Sequence, residues 1–505
     1  MKKNVTNIVI IVISGFFHGF LSPPFNQSLH PALFFIPAIA IFCSIPFIAV
    51  IYDKKPSKLK MYVWGFSSYF GSIWWMALVD VNDLSLLITF GTILLAAFFA
   101  LKYLALGIIS SCVVRKNKKL SFLFVPALWI ISEYLFLFGS LSFPWMFEGY
   151  LLSQYFYLSQ IVSVTGIWGL SFLAVISAVV LYETIFENRK TVAIKTIIIV
   201  IVAICLFGFF RIKSIGFYEQ KALVLQPNVD QENWCGESSL FASMEVLDSL
   251  FETSTELNKG IYIIPESGIF AYFNRHPLCR NMVNNWLEKY DSPIIFGTLD
   301  QTLSENYDTI SAYNSAFFAR LQNYEYKKYK KRKLVPFVET MPFSDIFPLI
   351  NRLDLAGGSF SAGKENTVWE FEENLKIAPM ICYESTYPNF VRNRINSGAN
   401  FLVNITNDGW FGKTTAPFQH AEMSRVRAIE NGVGMIRCAN SGISFSVDCY
   451  GKYLSKTDLY RREIVEMPIA KPLESTIYRK FGDWFVYLCG LFAIFAFIFP
   501  IVRRK

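Results

Sequence analysis

Along the first 211 residues, apolar positions run in stretches of about 20 residues, the length an α-helix needs to cross a bilayer. These stretches cover 5–22, 32–52, 61–80, 84–113, 120–138, 158–185 and 194–211, and one more, 484–502, lies near the end of the chain. The pattern predicts eight membrane-spanning helices, seven of them before residue 212. From about residue 221 the period shortens to brief apolar runs broken by turn residues, which predicts strands alternating with helices. "KALVLQPNVD", "GIYIIPESG", "DSPIIFGTLD", "KIAPMICYES" and "ANFLVNITNDGWFG" each read as a strand followed by a loop. "TISAYNSAFFARL" and "YEYKKYKKRKLVPF" read as a hairpin, "QHAEMSRVRAIENG" has helical spacing, and "MIRCANSGISFSVDCYGKYL" returns to strands. The predicted organisation is a transmembrane domain at 1–212, an α/β domain at 213–480, and a last helix with a short tail at 481–505.

Charge adds an orientation. "MKKN", "DKKPSKLK", "RKNKK", "ENRKTVAIK" and the final "RRK" fall on one side of the predicted spans, whereas "LSPPFNQSLH", "VDVND" and "FGSLSFPWMFEGYLLSQYFY" contain no Lys or Arg. Lys and Arg in short loops are retained on the cytoplasmic side, so both termini are expected there and the α/β domain on the other side. The net charge of +8 is accounted for by these loops and calls for no nucleic-acid partner. No small-x-small cleavage site follows "FFHGFLSPPF" and further spans come directly after it, so the first stretch reads as a span rather than a signal peptide. A transporter would carry more ionisable residues within its spans, or repeated halves. Here only Lys102 and Glu133 stand out: the lysine reads as a snorkelling residue or part of a tilted helix, and the glutamate as a hydrogen-bonding group between helices. "LSFPWMFEGY" reads either as an aromatic belt at the interface or as a wall for a lipid chain.

The α/β domain carries the candidate chemistry. Glu266 follows "IYIIP", the cluster Lys330, Lys331, Arg332 and Lys333 precedes "LVPF", and Cys382 closes "APMIC". Reactive groups in such domains gather where strands end. A thiol needs a base or a positive field to become a thiolate, a carboxylate can take its proton, and a lysine can steady an oxyanion. Taken singly, each has a plainer reading: a surface acid, a solvated charge run, a small buried hydrophobe. Taken together they form an acyl-transfer constellation. The nine cysteines show no metal-type CxxC pairing, and the odd number beyond the spans leaves at least one thiol unpaired or paired between chains.

The series "FLSPPF", "FPWMFEGY", "QPNVDQENW", "IPES", "YNSA", "YKKRKLVPFVE", "CYE", "NDGWFG" and "PFQHAEMSRVRAIENGVGMIRCANSG" resembles, in this order and over nearly the whole chain, the apolipoprotein N-acyltransferases, membrane members of the nitrilase superfamily. The resemblance implies an α-β-β-α sandwich carried by eight transmembrane helices, and a Glu-Lys-Cys triad at Glu266, Lys331 and Cys382. Lys331 is taken within its cluster because the family's lysine stands three residues before the leucine of "LVPF", here Leu334; Lys330 and Lys333 remain alternatives. Glu339 and Glu384 match two further acids that orient the lysine and the thiol region, and Asn314, Tyr383, Trp234 and Trp410 match positions that shape or gate the site. Both tryptophans could instead be core or interfacial aromatics. The family usually has Gly before the second acid, where this chain has Val338. A position requiring positive φ would disfavour Val and change the loop beside Glu339.

The implied reaction moves a fatty acyl chain from a membrane phospholipid to Cys382 as a thioester. It then passes to the N-terminal amine of the diacylglyceryl-cysteine of an apolipoprotein, without metal or cofactor. The implied setting is the inner (cytoplasmic) membrane with the catalytic domain on the periplasmic side, and the implied state is a monomer. The segment 340–353 reads either as a lid dipping into the leaflet or as a packed surface element. A membrane-tethered amidase or nitrilase using the same triad, and a non-enzymatic transporter or scaffold, are the alternative classes.

Overall fold

The computed structural model describes residues 5–21, 35–79, 85–187, 192–230, 237–254, 257, 259–303, 310–342, 360–372 and 374–502. Trp234 lies outside the described residues, as does the predicted lid beyond residue 342. The chain divides into two compact units. One comprises Met1–Lys213, Lys413–Glu422 and Lys480–Lys505, and the other Ser214–Gly412 and Met423–Arg479.

The first unit is helical. Its main helices are Ile8–Phe20, Ile36–Ile51, Lys58–Ile73, Ser85–Lys116, Lys118–Leu135, Ile167–Phe186, Val192–Arg211 and Trp484–Val502. Three described segments, Ser85–Lys116, Ile167–Phe186 and Ala193–Arg211, are long and apolar enough to cross a membrane, and Ile8–Phe20, Ile36–Ile51 and Trp484–Phe499 are shorter apolar helices. Ile8–Phe20 and Lys58–Ile73 pack through glycine. A Cβ on Gly19 would stand 1.8 Å from the Ser68 carbonyl oxygen, and one on Gly71 2.2 Å from that of Phe16. Small residues thus let the two backbones touch, the usual means of helix association where no water is available to drive it.

Several buried polar residues of this unit are paired with one another. His18 meets Ser68 at 2.9 Å through Nδ1 and Glu148 at 3.2 Å through Nε2. Glu133 accepts the backbone N–H of Glu148 (2.8 Å), and Ser171 Oγ that of Gly149 (2.9 Å). Glu133 therefore hydrogen-bonds both a second helix, through Ser171 of Ile167–Phe186, and the end of the "FPWMFEGY" loop, through the Glu148 amide. Lys102 does not snorkel. Its side chain is buried, with Nζ 4.7 Å from the centre of the Tyr103 ring and within 5.5 Å of those of Tyr69 and Phe136. Aromatic faces and nearby carboxylates replace the water that snorkelling would have sought. In the same unit, the Trp145 indole donates to Gln419 and Ser153 Oγ donates to Glu422 (2.6 Å).

The second unit is a two-sheet sandwich. Its strands are β1 (Phe217–Gln226), β2 (Gly260–Ile263), β3 (Ile269–Tyr272), β4 (Ile294–Leu303), β5 (Ile310–Arg320), β6 (Glu325–Lys330), β7 (Trp369–Glu372), β8 (Leu375–Ile381), β9 (Phe401–Thr406), β10 (Gly434–Ala439), β11 (Phe445–Val447), β12 (Tyr453–Lys456) and β13 (Glu463–Ala470). One sheet runs β13-β1-β2-β4-β5-β6 with β3 beside β4, and the other β12-β11-β10-β9-β8-β7. Strand alternation builds the layers: Ala222, Val224, Ile261, Ile263 and Ile295 face the second sheet, meeting Ile377, Phe401, Val403, Ile405 and Ile436. Their neighbours Leu223, Leu225, Tyr262, Ile294 and Phe296 face the helices Glu237–Thr253 and Pro277–Tyr290. Both faces are covered, so these strands read as continuous apolar runs. Each buried Val, Leu, Ile or Phe among them stabilises the fold by about 1.5–3 kcal/mol. β1 and β2 are parallel, as are β8, β9 and β10, so several strands deliver their C-terminal ends to one edge.

Candidate active site

Three of the strand ends place the reactive residues. Glu266 stands three residues beyond β2, Lys331 directly follows β6, and Cys382 directly follows β8. Gly297 on β4 makes room for the first of them: a Cβ there would lie 2.6 Å from the Glu266 Cα and from the Pro265 carbonyl oxygen. Any side chain at 297 would push Glu266 off its position. Cys382 has φ 51° and Ser267 has φ 55°, left-handed backbone that costs a non-glycine residue roughly 1–2 kcal/mol. Strain of this kind persists where the surrounding structure enforces it, and here it turns the chain abruptly out of each strand at a reactive residue.

Lys331 is the electrostatic centre. Its Nζ donates to Glu266 Oε1 at 3.1 Å and to Glu339 Oε1 at 2.9 Å. Asn314 Nδ2 bridges the same two oxygens at 2.8 and 2.9 Å, and Glu266 Oε2 accepts the backbone N–H of Asn407 at 2.9 Å. Burial alone would lower the Lys331 pKa, but the two carboxylates outweigh it and hold the ammonium well above its ordinary 10.5. The other lysines of the cluster are engaged elsewhere. Lys330 packs 3.6 Å over the Tyr313 ring and lies 3.8 Å from Asp300, while Lys333 stands over the Tyr387 ring at 5.0 Å. Among the described residues of the run, only Lys331 meets Glu266.

Cys382 is half-buried. Burial, then the negative charge of Glu266, raise its thiol pKa, Lys331 lowers it, and Asp408 raises it again, with a net shift well upward. On balance these influences favour the protonated thiol, so removal of its proton calls for a base. Glu384 serves a different purpose. Its Oε1 accepts the Tyr329 hydroxyl (2.7 Å) and the backbone N–H groups of Arg332 (2.7 Å) and Lys333 (3.3 Å), while Oε2 accepts that of Ile381 (2.8 Å). One fully buried carboxylate thus ties the lysine-bearing segment to the end of the cysteine-bearing strand. Burial raises the Glu384 pKa, and the Tyr329, Arg332 and Ile381 donors and the charge of Arg394 oppose that rise.

The loop at Glu339 differs from the expectation. Positive φ falls on Phe337 (64°), one residue earlier, and Val338 is exposed without any left-handed strain. Glu339 Oε2 accepts the Val335 N–H (2.9 Å) and its own N–H returns to the Val335 carbonyl (2.9 Å), so the loop closes on itself around the carboxylate. Tyr383 is buried edge-to-face against Tyr387, and Trp410 is 43% exposed in the turn Asp408–Phe411. Sequence reasoning passed over Thr406, Asn407, Asp408 and Arg437, which also gather here. "NDGWFG" contains Asn407 and Asp408 and is the signal that marks those two.

Comparison with known proteins follows this geometry. Residues 250–477 match the family model described as carbon-nitrogen hydrolase, and residues 23–180 that described as apolipoprotein N-acyltransferase N-terminal domain. The apolipoprotein N-acyltransferase of Rickettsia bellii is 30% identical over 453 residues, covering 87% of this chain and 88% of that one. That of Rickettsia typhi is 29% identical over 474 residues, covering 91% and 93%. A solved nitrilase-superfamily amidase from Nesterenkonia is 13% identical, covers 55% of this chain and 99% of its own, and gives a TM-score of 0.40. With a carbon-nitrogen hydrolase domain behind the matching N-terminal domain, and relatives alike over almost their full length, the chain belongs to the apolipoprotein N-acyltransferases.

Proposed function

We propose that this enzyme transfers a fatty acyl chain from a membrane phospholipid, through a thioester on Cys382, to the N-terminal amine of the diacylglyceryl-cysteine of apolipoproteins. The observation that carries the mechanism is the bridge of Lys331 between Glu266 and Glu339, in electrostatic contact with Cys382. Glu266 takes the thiol proton, and the sulfur attacks the ester carbonyl of the donor. A lysine has three N–H donors. Two meet the carboxylates, which leaves the third to the oxyanion together with the backbone N–H of Tyr383. As the intermediate collapses, the C–O bond breaks and Glu266 returns the proton to the departing lysophospholipid. The acceptor amine then attacks the thioester, loses a proton to Glu266, and forms the amide as the thiolate leaves and recovers that proton.

Glu339, Asn314 and Glu384 act as positioning residues, and Trp234 and Trp410 as substrate-binding residues. The reading includes eight spans, seven before residue 212 and one at 484–502. It places both termini on the cytoplasmic side of the inner membrane and the domain at 213–480 on the periplasmic side, with the enzyme acting as a monomer. Tethering the domain to the leaflet that holds both lipid substrates raises their effective concentration, which gives the hydrophobic helices a catalytic purpose. No step calls for a metal or cofactor.

The discriminating experiment supplies detergent-solubilised enzyme with labelled phospholipid, with and without a diacylglyceryl lipopeptide bearing a free α-amine. The expected result is a labelled amide that appears with the lipopeptide and disappears when its amine is acetylated. Release of labelled fatty acid to water at the same rate with and without the lipopeptide would make the protein a hydrolase.

A further inference from the structure

The end of β9 touches both halves of the candidate chemistry. Asn407 donates its backbone N–H to Glu266, and the residue before it, Thr406, hydrogen-bonds the sulfur of Cys382. The residue after it, Asp408, is buried and gripped by the equally buried Arg437 of β10: Nη2 lies 2.9 Å from Oδ1 and 2.7 Å from Oδ2. Asp408 Oδ1 also accepts the Thr406 hydroxyl at 3.0 Å. The Thr406 contact lowers the Cys382 pKa, as a hydroxyl donating to the sulfur does, so the single Thr406 hydroxyl proton is shared between the sulfur and Asp408.

A second arm leaves the same guanidinium. Arg437 Nη1 donates to Ser424 Oγ, Ser424 Oγ to Ser385 Oγ, and Ser385 Oγ to the carbonyl oxygen of Cys382, each over 2.9 Å. The donors all point one way, from arginine to the strained cysteine. Neither charge of the pair touches solvent, so each is tolerable only because of the other.

We infer that Asp408 and Arg437 are positioning residues for the acyl transfer: a charge-matched pair behind β9 that sets Asn407 against the base and holds both the side chain and the backbone of Cys382. The assignment of Cys382 as nucleophile rests on the reading given above, but the placement of its thiol by this pair does not. The charged groups that face the sulfur are Glu266 from the end of β2, Lys331 from the end of β6, and Asp408 from the end of β9. Glu339 faces Lys331, and Glu384, on the cysteine's own turn, is directed to Tyr329, Arg332, Lys333 and Ile381. Removing the charge of Asp408 therefore stabilises the thiolate, and removing that of Arg437 leaves Asp408 uncompensated and destabilises it.

The test uses full-length enzyme in detergent and follows alkylation of Cys382 by iodoacetamide against pH, read on the Cys382 peptide by mass spectrometry. Asp408→Asn is expected to move the midpoint down by about one pH unit, the order of effect of one near charge. Arg437→Gln moves it up by a similar amount, and the double variant returns close to the wild type. Should Arg437→Gln not fold, Arg437→Lys, which keeps the charge but not the fork, is expected to leave the midpoint in place and slow thioester formation about tenfold, a loss on the scale of one misplaced charged hydrogen bond. Midpoints that move together, or do not move in folded variants, overturn the inference. These shifts in the variants, together with a wild type that never forms an acyl adduct, overturn the acyl-transfer reading and leave the pair's effect on the thiol intact.

Discussion

Lys331→Met lowers acyl transfer by at least about 10²–10³-fold, the usual cost of losing one oxyanion donor, and destabilises the catalytic unit at the same time. The reason lies in charge. Lys331 is 1% exposed and stands between Glu266 and Glu339, so the substitution leaves two buried carboxylates facing each other without a cation. Breaking a buried pair by removing one partner costs about 3–5 kcal/mol, reduced here to the extent that one carboxyl takes up a proton. The raised pKa fixes the sign of the pH dependence. A lysine held above its ordinary 10.5 contributes its full stabilisation below that value and loses it only as pH rises through the higher, folded-state value. The lysine's own contribution to stability is therefore constant through neutral pH and is lost only in strong alkali. Adding Glu339→Gln to Lys331→Met removes the excess negative charge. Thermal unfolding then recovers while activity does not; a recovery of activity would remove Lys331 from the chemistry.

Glu266→Gln gives the second large effect, and its two readouts move in opposite directions. Loss of the base slows acyl transfer by about 10²–10⁴-fold. Yet the charge of Glu266 is, after burial, the largest influence raising the Cys382 thiol, so its removal makes the sulfur easier to ionise. Alkylation of Cys382 at neutral pH accelerates while thioester formation slows. Raising the pH then restores part of the variant's acyl transfer, because hydroxide ionises the thiol that Glu266 no longer serves. A variant in which both rates fall together would point to a purely structural glutamate.

How far the sequence reveals this molecule depends on the range of each interaction. The sandwich is legible because its strands alternate: Ala222 and Val224 take one side of β1, Leu223 and Leu225 the other, and the same rule holds for β2 and β4. The β5–β6 hairpin is legible because its partners are adjacent in sequence. β3 and β7 are not among the predicted strands. Glu266, Lys331 and Cys382 announce themselves by following apolar runs at strand ends.

Their supporting network does not. Arg437 sits inside β10 and looks like an interruption of an apolar strand, and its partner Asp408 is 29 residues away. Glu384 looks like a second acid for the cysteine, but its hydrogen bonds make it a brace between two segments. Lys102 reads as a snorkelling residue because hydropathy registers a charge in an apolar stretch but not the three aromatic rings beside it. Val338 was judged by the residue type expected at its position, whereas the left-handed turn belongs to Phe337. In each case, what escaped the sequence is a partner brought close by folding rather than by chain order.

The central claim is that Cys382 carries the acyl group. The direct measurement is the intact mass of the detergent-solubilised enzyme after incubation with phospholipid and no amine acceptor, for wild type and Cys382→Ala, before and after hydroxylamine. The account predicts that the wild type gains the mass of one fatty acyl chain, loses it to hydroxylamine, and passes it to an amine-bearing lipopeptide, while the variant gains nothing. An adduct of equal size on Cys382→Ala, or acyl transfer to the lipopeptide that proceeds undiminished in that variant, would contradict it.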